Sequence, residues 1–172
     1  MRHVLLHTAF VLIILGNIVN AQVYLTKNEA LALYLGDKVE RKTIFLTDEQ
    51  INHIQQKAKA KVESKILTYY VSPRGYAFFE TRTIRTMPAT FMILITPRGT
   101  VGAVEMLAFY EPEDYLPPKK WLNTFQQKTF DDDLWLKRGV YNIAGATLSA
   151  NAITESVRRL LVTYELAIKK GE

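Results

Sequence analysis

The sequence predicts an α+β fold: a curved antiparallel sheet with two N-terminal helices and a C-terminal amphipathic helix packed on it. Four segments rich in β-branched and aromatic residues, the composition of β-strands, lie at residues 66–71, 76–86, 90–96 and 101–110. Short turns containing proline or glycine separate these segments, which favours antiparallel neighbours. Capping patterns and apolar residues at helical spacing indicate helices on both sides of this region.

The two N-terminal helices each have a start signal. Thr26 and Thr47 are each followed three residues later by Glu or Gln, which is the pattern of a capping box. The first helix is predicted over residues 26–35, and the second is predicted from Thr47 to about residue 62. A strand is predicted between them, at residues 39–46.

The last strand and the last helix are predicted to be largely buried. Residues 101–106 alternate imperfectly between apolar and polar, which indicates burial on both faces or a β-bulge near Gly102. The helix is predicted to begin at Ser149 or Ala150. Its apolar residues recur at the spacing of one helical face, namely Ile153, Val157, Leu160, Leu161, Tyr164 and Ile168.

The opposite side of that helix carries its charges. Glu155 and Arg159 stand four residues apart, so we expect them to form an ion pair along the outer face of the helix. Arg158 is assigned to the polar face as well. We therefore expect its guanidinium to be solvated.

Residues 1–21 have the pattern of a secretory signal peptide. Arg2 and His3 precede a mainly apolar run over residues 4–19, and Val19-Asn20-Ala21 offers small residues at the cleavage positions. The run is shorter than the roughly 20 residues that a membrane-spanning helix needs, although an uncleaved anchor remains the alternative. In both cases the remainder is expected to be exported, to the periplasm or the outer face of the cytoplasmic membrane.

The composition excludes several classes of site. The chain contains no cysteine, which excludes disulfides, thiolate-ligated iron–sulfur clusters and covalent haem attachment. Beyond residue 21 the only histidine is His53, so a zinc site built on several imidazoles is excluded. The net charge of +5 is not concentrated in a basic block, which argues against nucleic-acid binding.

The residues just ahead of the last helix are the candidate binding site. Gly145 and Ala146 remove side-chain bulk, so that backbone N–H groups can approach a ligand. A helix N-terminus with its partial positive charge follows, and such a place favours a phosphate. The hydroxyls of Thr147 and Ser149 can bond that phosphate, cap the helix or be covalently modified. An ordinary turn with a helix cap is the alternative interpretation.

The segment Gly145-Ala146-Thr147-Leu148-Ser149 resembles the flavin-attachment motif of the FMN-binding domain family. That family includes the peripheral flavin subunits of the sodium-pumping NADH:quinone oxidoreductase and of the Rnf electron-transport complex. Its motif runs Ser or Thr, Gly, Ala, Thr or Ser, any residue, Ser or Thr, and the hydroxyl after Gly-Ala carries FMN through a phosphoester. The resemblance implies that residues 22–172 form one FMN-binding domain with FMN on Thr147.

Two positions depart from the family pattern. Ala144 stands where the family has Ser or Thr, and Tyr141 stands where the recognition pattern of the modifying enzyme commonly has Asp. Both departures bear on covalent attachment more than on FMN binding. Ala144 therefore stays among the predicted FMN-binding residues, together with Leu148 and the other members of the motif.

Other candidate residues follow from what FMN needs. Residues 109–118 together with Trp121 also resemble a subgroup of exported FMN-binding proteins. A flat isoalloxazine ring needs an aromatic or apolar slot, for which the nearby aromatic residues are Tyr110, Tyr115, Trp121 and Trp135. Tyr115 and Trp121 are included in the predicted site, and burial in the core is the alternative for each of these aromatics. Arg85, next to Thr86, is the predicted charged partner of the phosphate or of the reduced ring, with a surface ion pair as the alternative.

The resemblance implies an exported flavoprotein that carries FMN for extracytoplasmic electron transfer. Such a protein is an electron-transfer protein or subunit rather than a stand-alone catalyst. Covalent attachment implies a flavin transferase as a partner, and a membrane electron-transfer complex is a candidate redox partner. The alternative is an exported, cofactor-free binding or interaction module of the cell envelope. The chain has no Gly-x-Gly-x-x-Gly fingerprint, which argues against direct NADH oxidation.

Overall fold

A computed structural model describes residues 22–170, and a six-stranded antiparallel sheet forms its centre. The order of strands across the sheet is β1-β6-β5-β4-β3-β2, so β2 to β6 follow one another as a meander and β1 joins β6 at the far edge. The predicted antiparallel sheet is confirmed. The proposed signal peptide, residues 1–21, lies outside the described residues. The strands are β1 (Gln22–Val23), β2 (Glu40–Phe45), β3 (Ile66–Ser72), β4 (Gly75–Thr83), β5 (Pro88–Ile95) and β6 (Val101–Phe109).

Helices cover both faces of this sheet. They are α1 (Lys27–Leu35), α2 (Asp48–Ala58), α3 (Lys119–Leu122) and α4 (Thr147–Thr163), and α4 continues into a π-helical turn at Tyr164–Ile168. Alternate residues of β5 belong to opposite cores. Phe91 and Ile93 pack with α4, whereas Met92 and Leu94 pack with α1. Within residues 22–170, no helix is both long enough and apolar enough to cross a membrane.

The two predicted helix starts are confirmed. Thr26 and Thr47 each accept a hydrogen bond from the backbone N–H three residues later, and both capping boxes are complete. The predicted end of the second helix near residue 62 is wrong, because α2 ends at Ala58. Lys59 has a left-handed conformation with φ of 48°, which stops the helical hydrogen bonding there.

Strand β6 has the irregularity that its sequence suggests. Leu94 pairs with Ala103 and Ile95 with Val101, so that Gly102 is left over as a β-bulge. The strand is also buried on both faces, since members of both cores lie along it. Both explanations of the imperfect alternation are therefore correct.

The apolar face of α4 is confirmed, but its charged side differs from the prediction. The helix begins at Thr147, two residues before the earlier of the predicted starts. The expected pair between Glu155 and Arg159 is wrong, because both residues pair with β4 instead. Arg159 Nη2 lies 2.5 Å from Glu80 Oε2, and Arg82 Nη2 lies 3.3 Å from Glu155 Oε2. This side of α4 lies against the sheet, so cross-element partners replace the pair along the helix.

The expected solvation of Arg158 is also wrong, because this residue is only 8% exposed. Its guanidinium donates hydrogen bonds of 2.9 Å to the carbonyl oxygens of Ala58 and Leu134 and lies 3.7 Å from the centre of the Trp135 ring. Burial lowers the pKa of this group. Ala58 is the last residue of α2, so the positive charge sits at the negative end of that helix.

Candidate functional site

Helix α4 begins after a tight turn that depends on Gly145. This glycine has φ of +83°, in the left-handed region that residues with a Cβ atom seldom adopt. Ala146 then stands at the N-cap position with a buried methyl group, and it offers no side-chain hydrogen bond to the helix. The first helical hydrogen bond runs from Ala150 N–H to Ala146 O, at 2.9 Å. The small residues therefore form the turn without capping the helix.

Three backbone N–H groups at the start of α4 have no hydrogen-bond acceptor among the described residues. They belong to Thr147, Leu148 and Ser149. Every helix has such groups in its first turn, because no residue precedes them at the required distance. In α1 and α2 a threonine side chain accepts one of them. At α4 no side chain does so, and the helix dipole adds partial positive charge there.

The Thr147 hydroxyl lies at the surface, and it is directed back toward the preceding loop. Its Oγ1 donates to Ile143 O at 3.3 Å and accepts from Asn142 Nδ2 at 3.2 Å, and both bonds are long. Asn142 Oδ1 is buried and has no hydrogen-bond partner in the described part of the chain. The sequence analysis did not select Asn142, since no motif includes it. The turn at Gly145 brings it back against Thr147.

The two hydroxyls of the motif point to different sides of α4. Residues two positions apart are separated by about 200° around a helix. Ser149 is accordingly buried, and its Oγ donates to Tyr115 O at 2.6 Å. Ala146 is buried as well, whereas Ala144, Gly145, Thr147 and Leu148 are exposed. Thr147 is therefore the accessible hydroxyl of the motif.

Tyr115 connects the start of α4 with the turn that follows β4. Its carbonyl oxygen accepts from Ser149, and its phenol oxygen accepts from Arg85 Nη1. The Arg85 guanidinium carbon lies 4.8 Å from the centre of the Tyr115 ring. The structure thus brings together Arg85, Tyr115 and the motif, three of the features that the sequence selected.

A buried carboxylate holds the turn that carries Arg85. The backbone N–H groups of Arg85, Thr86 and Met87 all donate to Glu111 Oε1, at 2.9, 2.6 and 2.8 Å. These bonds lower the pKa of the Glu111 carboxyl, with the bond from Met87 contributing most. Thr86 contributes through its backbone, while its side chain is exposed. The sequence analysis did not select Glu111, because its three donors lie about 25 residues earlier in the chain.

Trp121 supports the site from inside the core. Its side chain is fully buried, packs edge-on against Phe125 with ring centres 5.0 Å apart, and donates from Nε1 to Tyr141 O at 2.8 Å. It therefore has no surface available to a ligand in this conformation. The neighbouring Tyr141 is 52% exposed, as is Leu148 at 53%. These two side chains are the apolar surface next to Thr147 in sequence.

The remaining aromatic candidates, Tyr110 and Trp135, differ in their surroundings. Tyr110 is half-buried, and Trp135 packs against Arg158. Asp114 O lies 3.6 Å from the place that a Cβ atom on Gly145 would take, which is an ordinary van der Waals contact. The carboxylates of Glu113 and Asp114 are exposed. No group of three or more His, Asp or Glu side chains that could hold a metal ion occurs within residues 22–170.

The arrangement fits a phosphate group at the start of α4. It combines unpaired N–H donors, the positive end of a helix, a glycine turn without bulk and an exposed hydroxyl within one turn of chain. The chain matches no protein-family model, and no curated protein matches it.

Proposed function

We propose that this protein is an exported flavin carrier that holds FMN at the start of α4, through a phosphoester on Thr147 Oγ1, for electron transfer outside the cytoplasm. The observation that carries the proposal is the exposed Thr147 hydroxyl beside three N–H groups that have no acceptor in residues 22–170. The order of residues 145–149, which resembles the flavin-attachment motif, supports it further.

The residues at the start of α4 would hold the phosphate end of FMN. The N–H groups of residues 147–149 bind its oxygens, and Gly145 with Ala146 lets those oxygens approach closely. Esterification removes the hydroxyl proton of Thr147, which ends its long bond to Ile143 O. Asn142 Nδ2 remains able to donate to the ester oxygen. Attachment therefore removes only the weak hydrogen bond from Thr147 Oγ1 to Ile143 O.

Residues around the motif would orient the rest of the cofactor, which itself accepts and releases electrons. Leu148 and Tyr141 offer exposed apolar surface against which a flat ring can pack. Arg85, held over Tyr115, adds a positive charge that favours an anionic group nearby. No residue has to act as a general acid or base. The protein is accordingly proposed as an electron-transfer protein or subunit rather than a stand-alone catalyst.

The proposal requires partners and a compartment. A flavin transferase would attach FMN by transferring the flavin phosphoryl group from a flavin dinucleotide to Thr147 Oγ1, with the nucleoside monophosphate as the leaving group and the hydroxyl proton released to solvent. One or more redox proteins, with a membrane electron-transfer complex as a candidate, would exchange electrons with the bound flavin. Export depends on residues 1–21, which have the pattern of a signal peptide. The proposed place of action is the periplasm or the outer face of the cytoplasmic membrane.

A cofactor-free interaction module of the cell envelope is the second candidate. Strands β3 and β4 diverge beyond their connecting turn and leave a groove lined by Leu67 and Phe79, which favours an interaction role and lies away from Thr147. Colour separates the two candidates, since a flavin carrier purified after coexpression with a flavin transferase is yellow and an interaction module is colourless.

Mass spectrometry of protein exported together with a flavin transferase tests the proposal. We expect an FMN-sized addition that maps to Thr147 and disappears in Thr147→Ala. Ser149→Ala is the matched control, because it removes the inward-facing hydroxyl of the same motif and should retain the addition. An addition that persists in Thr147→Ala, or an exported wild-type chain that stays unmodified in the presence of active transferase, would contradict the proposal.

A further inference from the structure

Strands β3 and β4 are paired only next to their connecting turn. Each strand is paired over a longer stretch with its other neighbour, β3 with β2 and β4 with β5. Within residues 22–170, residues 66–69 of β3 and 78–83 of β4 therefore each have one edge with no strand beside it. The pairs that β3 and β4 do form are Tyr70 with Ala77, Val71 with Tyr76, and Ser72 with Gly75.

The diverging strands enclose a groove of about 340 Å³, which we call the β3–β4 groove. Leu67 and Thr68 line it from β3, and Phe79 and Thr81 line it from β4. Arg159 of α4 lies at its base. A cavity of this size is at the lower end of the range that protein pockets use for ligands.

The two arginines that line the β3–β4 groove are already paired with carboxylates. Arg159 pairs with Glu80 at 2.5 Å, and Arg82 pairs with Glu155 at 3.3 Å. A phosphate or carboxylate ligand would have to compete with these carboxylates for each guanidinium. The groove is therefore poorly suited to an anionic small molecule.

The groove instead offers backbone hydrogen-bonding groups. Ile84 N–H donates to Met87 O, so the backbone groups of Ile84 point toward β5. In an antiparallel strand, the N–H and C=O groups of successive residues point to opposite neighbours. The backbone groups of Arg82 and Glu80 therefore also point toward β5. Thr83, Thr81 and Phe79 consequently direct their N–H and C=O groups into the groove. Buried Arg159 Nε, which has no partner among the described residues, is a further donor at its base.

The two open edges of this part of the sheet differ in the side chains that they carry. The outer strand β2 carries Glu40, Arg41 and Lys42, and charges of this kind discourage pairing with another chain. The rim of the groove carries Ile66, which is 53% exposed and whose paired neighbour on β2, Phe45, is also exposed. The rim is thus apolar where the outer edge is charged.

We propose that the β3–β4 groove binds an extended segment of a partner protein by strand addition to β4. The segment's backbone would bond to Phe79, Thr81 and Thr83, which is the recurring mode of strand augmentation. Phe45, Ile66 and the Phe79 side chain lie on the α1 face, because Ile44 and Glu80 point to the α4 face. The segment therefore alternates apolar residues toward the α1 face with polar residues toward Glu80 and Arg159.

The groove is independent of the proposed flavin site. Arg159 and Thr147 lie twelve positions apart on α4, about 18 Å along its axis. Strand addition can therefore fail while flavin attachment at Thr147 succeeds, and the reverse.

A random octapeptide display library, selected against the purified exported protein, tests this proposal. We expect enriched peptides that alternate apolar and polar residues, and slower amide exchange at Phe79, Thr81 and Thr83 when they bind. Ile66→Lys places on the rim a charge of the kind that β2 carries, and it should weaken binding at least tenfold. Leu33→Lys is the matched control, since Leu33 is 60% exposed on α1 and does not line the groove.

A backbone variant separates strand addition from contact with side chains alone. Thr81→Pro removes a groove-facing N–H group and should abolish peptide binding, whereas Thr81→Val retains that group and should bind as the wild type does. Circular dichroism verifies that each variant is folded. The proposal is overturned if no peptide is enriched, or if enriched peptides bind the Ile66→Lys variant and the wild type equally. It is also overturned if the wild type dimerises through this groove, which would make a second copy the occupant.

Discussion

Two sets of three backbone N–H groups lie on either side of Tyr115, and only one set has a hydrogen-bond acceptor within residues 22–170. The N–H groups of residues 85–87 donate to the buried carboxylate of Glu111 at 2.6 to 2.9 Å. Those of residues 147–149, at the start of α4, have no acceptor among the described residues. The first set shows how this fold satisfies such donors, namely with an oxygen that carries negative charge. The second set suits an anion from outside the chain, which is the role that we propose for the phosphate of FMN.

The largest expected effect comes from removing the internal anion. Glu111→Ala leaves three N–H donors of the turn after β4 without their acceptor, so we expect the free energy of unfolding to fall by about 3 kcal/mol. Denaturant unfolding measures the change. Glu113→Ala, which removes an exposed carboxylate two residues away, is the matched control and should change stability by no more than about 0.5 kcal/mol. Equal losses in the two variants would remove the basis of the comparison.

The pH dependence of stability tests whether the Glu111 acceptor is charged. The three N–H bonds hold the pKa of Glu111 below its ordinary value of about 4.3, so its contribution is fully present above that pH. The contribution is lost as the pH falls through the folded-state pKa. We expect the difference in unfolding free energy between the wild type and Glu111→Gln to shrink as the pH is lowered below about 4.3. A difference that stays constant down to pH 2.5 would contradict a charged Glu111.

A smaller effect is expected at the start of α4. Gly145→Ala forces a Cβ atom into a left-handed conformation, which costs about 1 kcal/mol of unfolding free energy. The added Cβ atom would lie at ordinary van der Waals distance from Asp114 O, so no steric clash adds to this cost. Asn tolerates this conformation better than Ala, and Gly145→Asn should therefore be less destabilising. If both variants are as stable as the wild type, the turn does not depend on glycine.

The regular parts of the fold could be predicted because their signals are local. The threonines that start α1 and α2 have their partners three residues away, and the buried face of α4 is visible from spacing alone. The strands were identified from composition and from the turns between them. The bulge at Gly102 was also indicated by the imperfect apolar–polar alternation of β6.

The errors arose where the deciding partner is distant in sequence. Arg158 is buried because Ala58 and Trp135 come to it from other elements, and Arg159 pairs with Glu80 across the core. The end of α2 depended on the left-handed conformation of Lys59, a residue with no strong preference for it. Neighbouring residues could reveal none of these three outcomes.

In the candidate site too, features that depend on neighbouring residues could be predicted, and features that depend on distant residues could not. Gly145 and Thr147 belong to one contiguous segment and could be selected as candidates without a structure, although the predicted helix start is two residues late. The inward direction of Ser149 depends on Tyr115, and the fixed position of Arg85 depends on Glu111. Trp121 is a predicted wall of the slot for the flavin ring, but its neighbours in the core bury it completely.

Flavin that stays with the unfolded chain tests the central claim most directly. Protein exported together with a flavin transferase is denatured, separated from free flavin, and assayed for flavin absorbance per chain. We predict one flavin per wild-type chain and none for Thr147→Ala, with Ser149→Ala equal to the wild type. Flavin retained by Thr147→Ala, or absent from the wild type while a known substrate of the same transferase is labelled, would contradict the account.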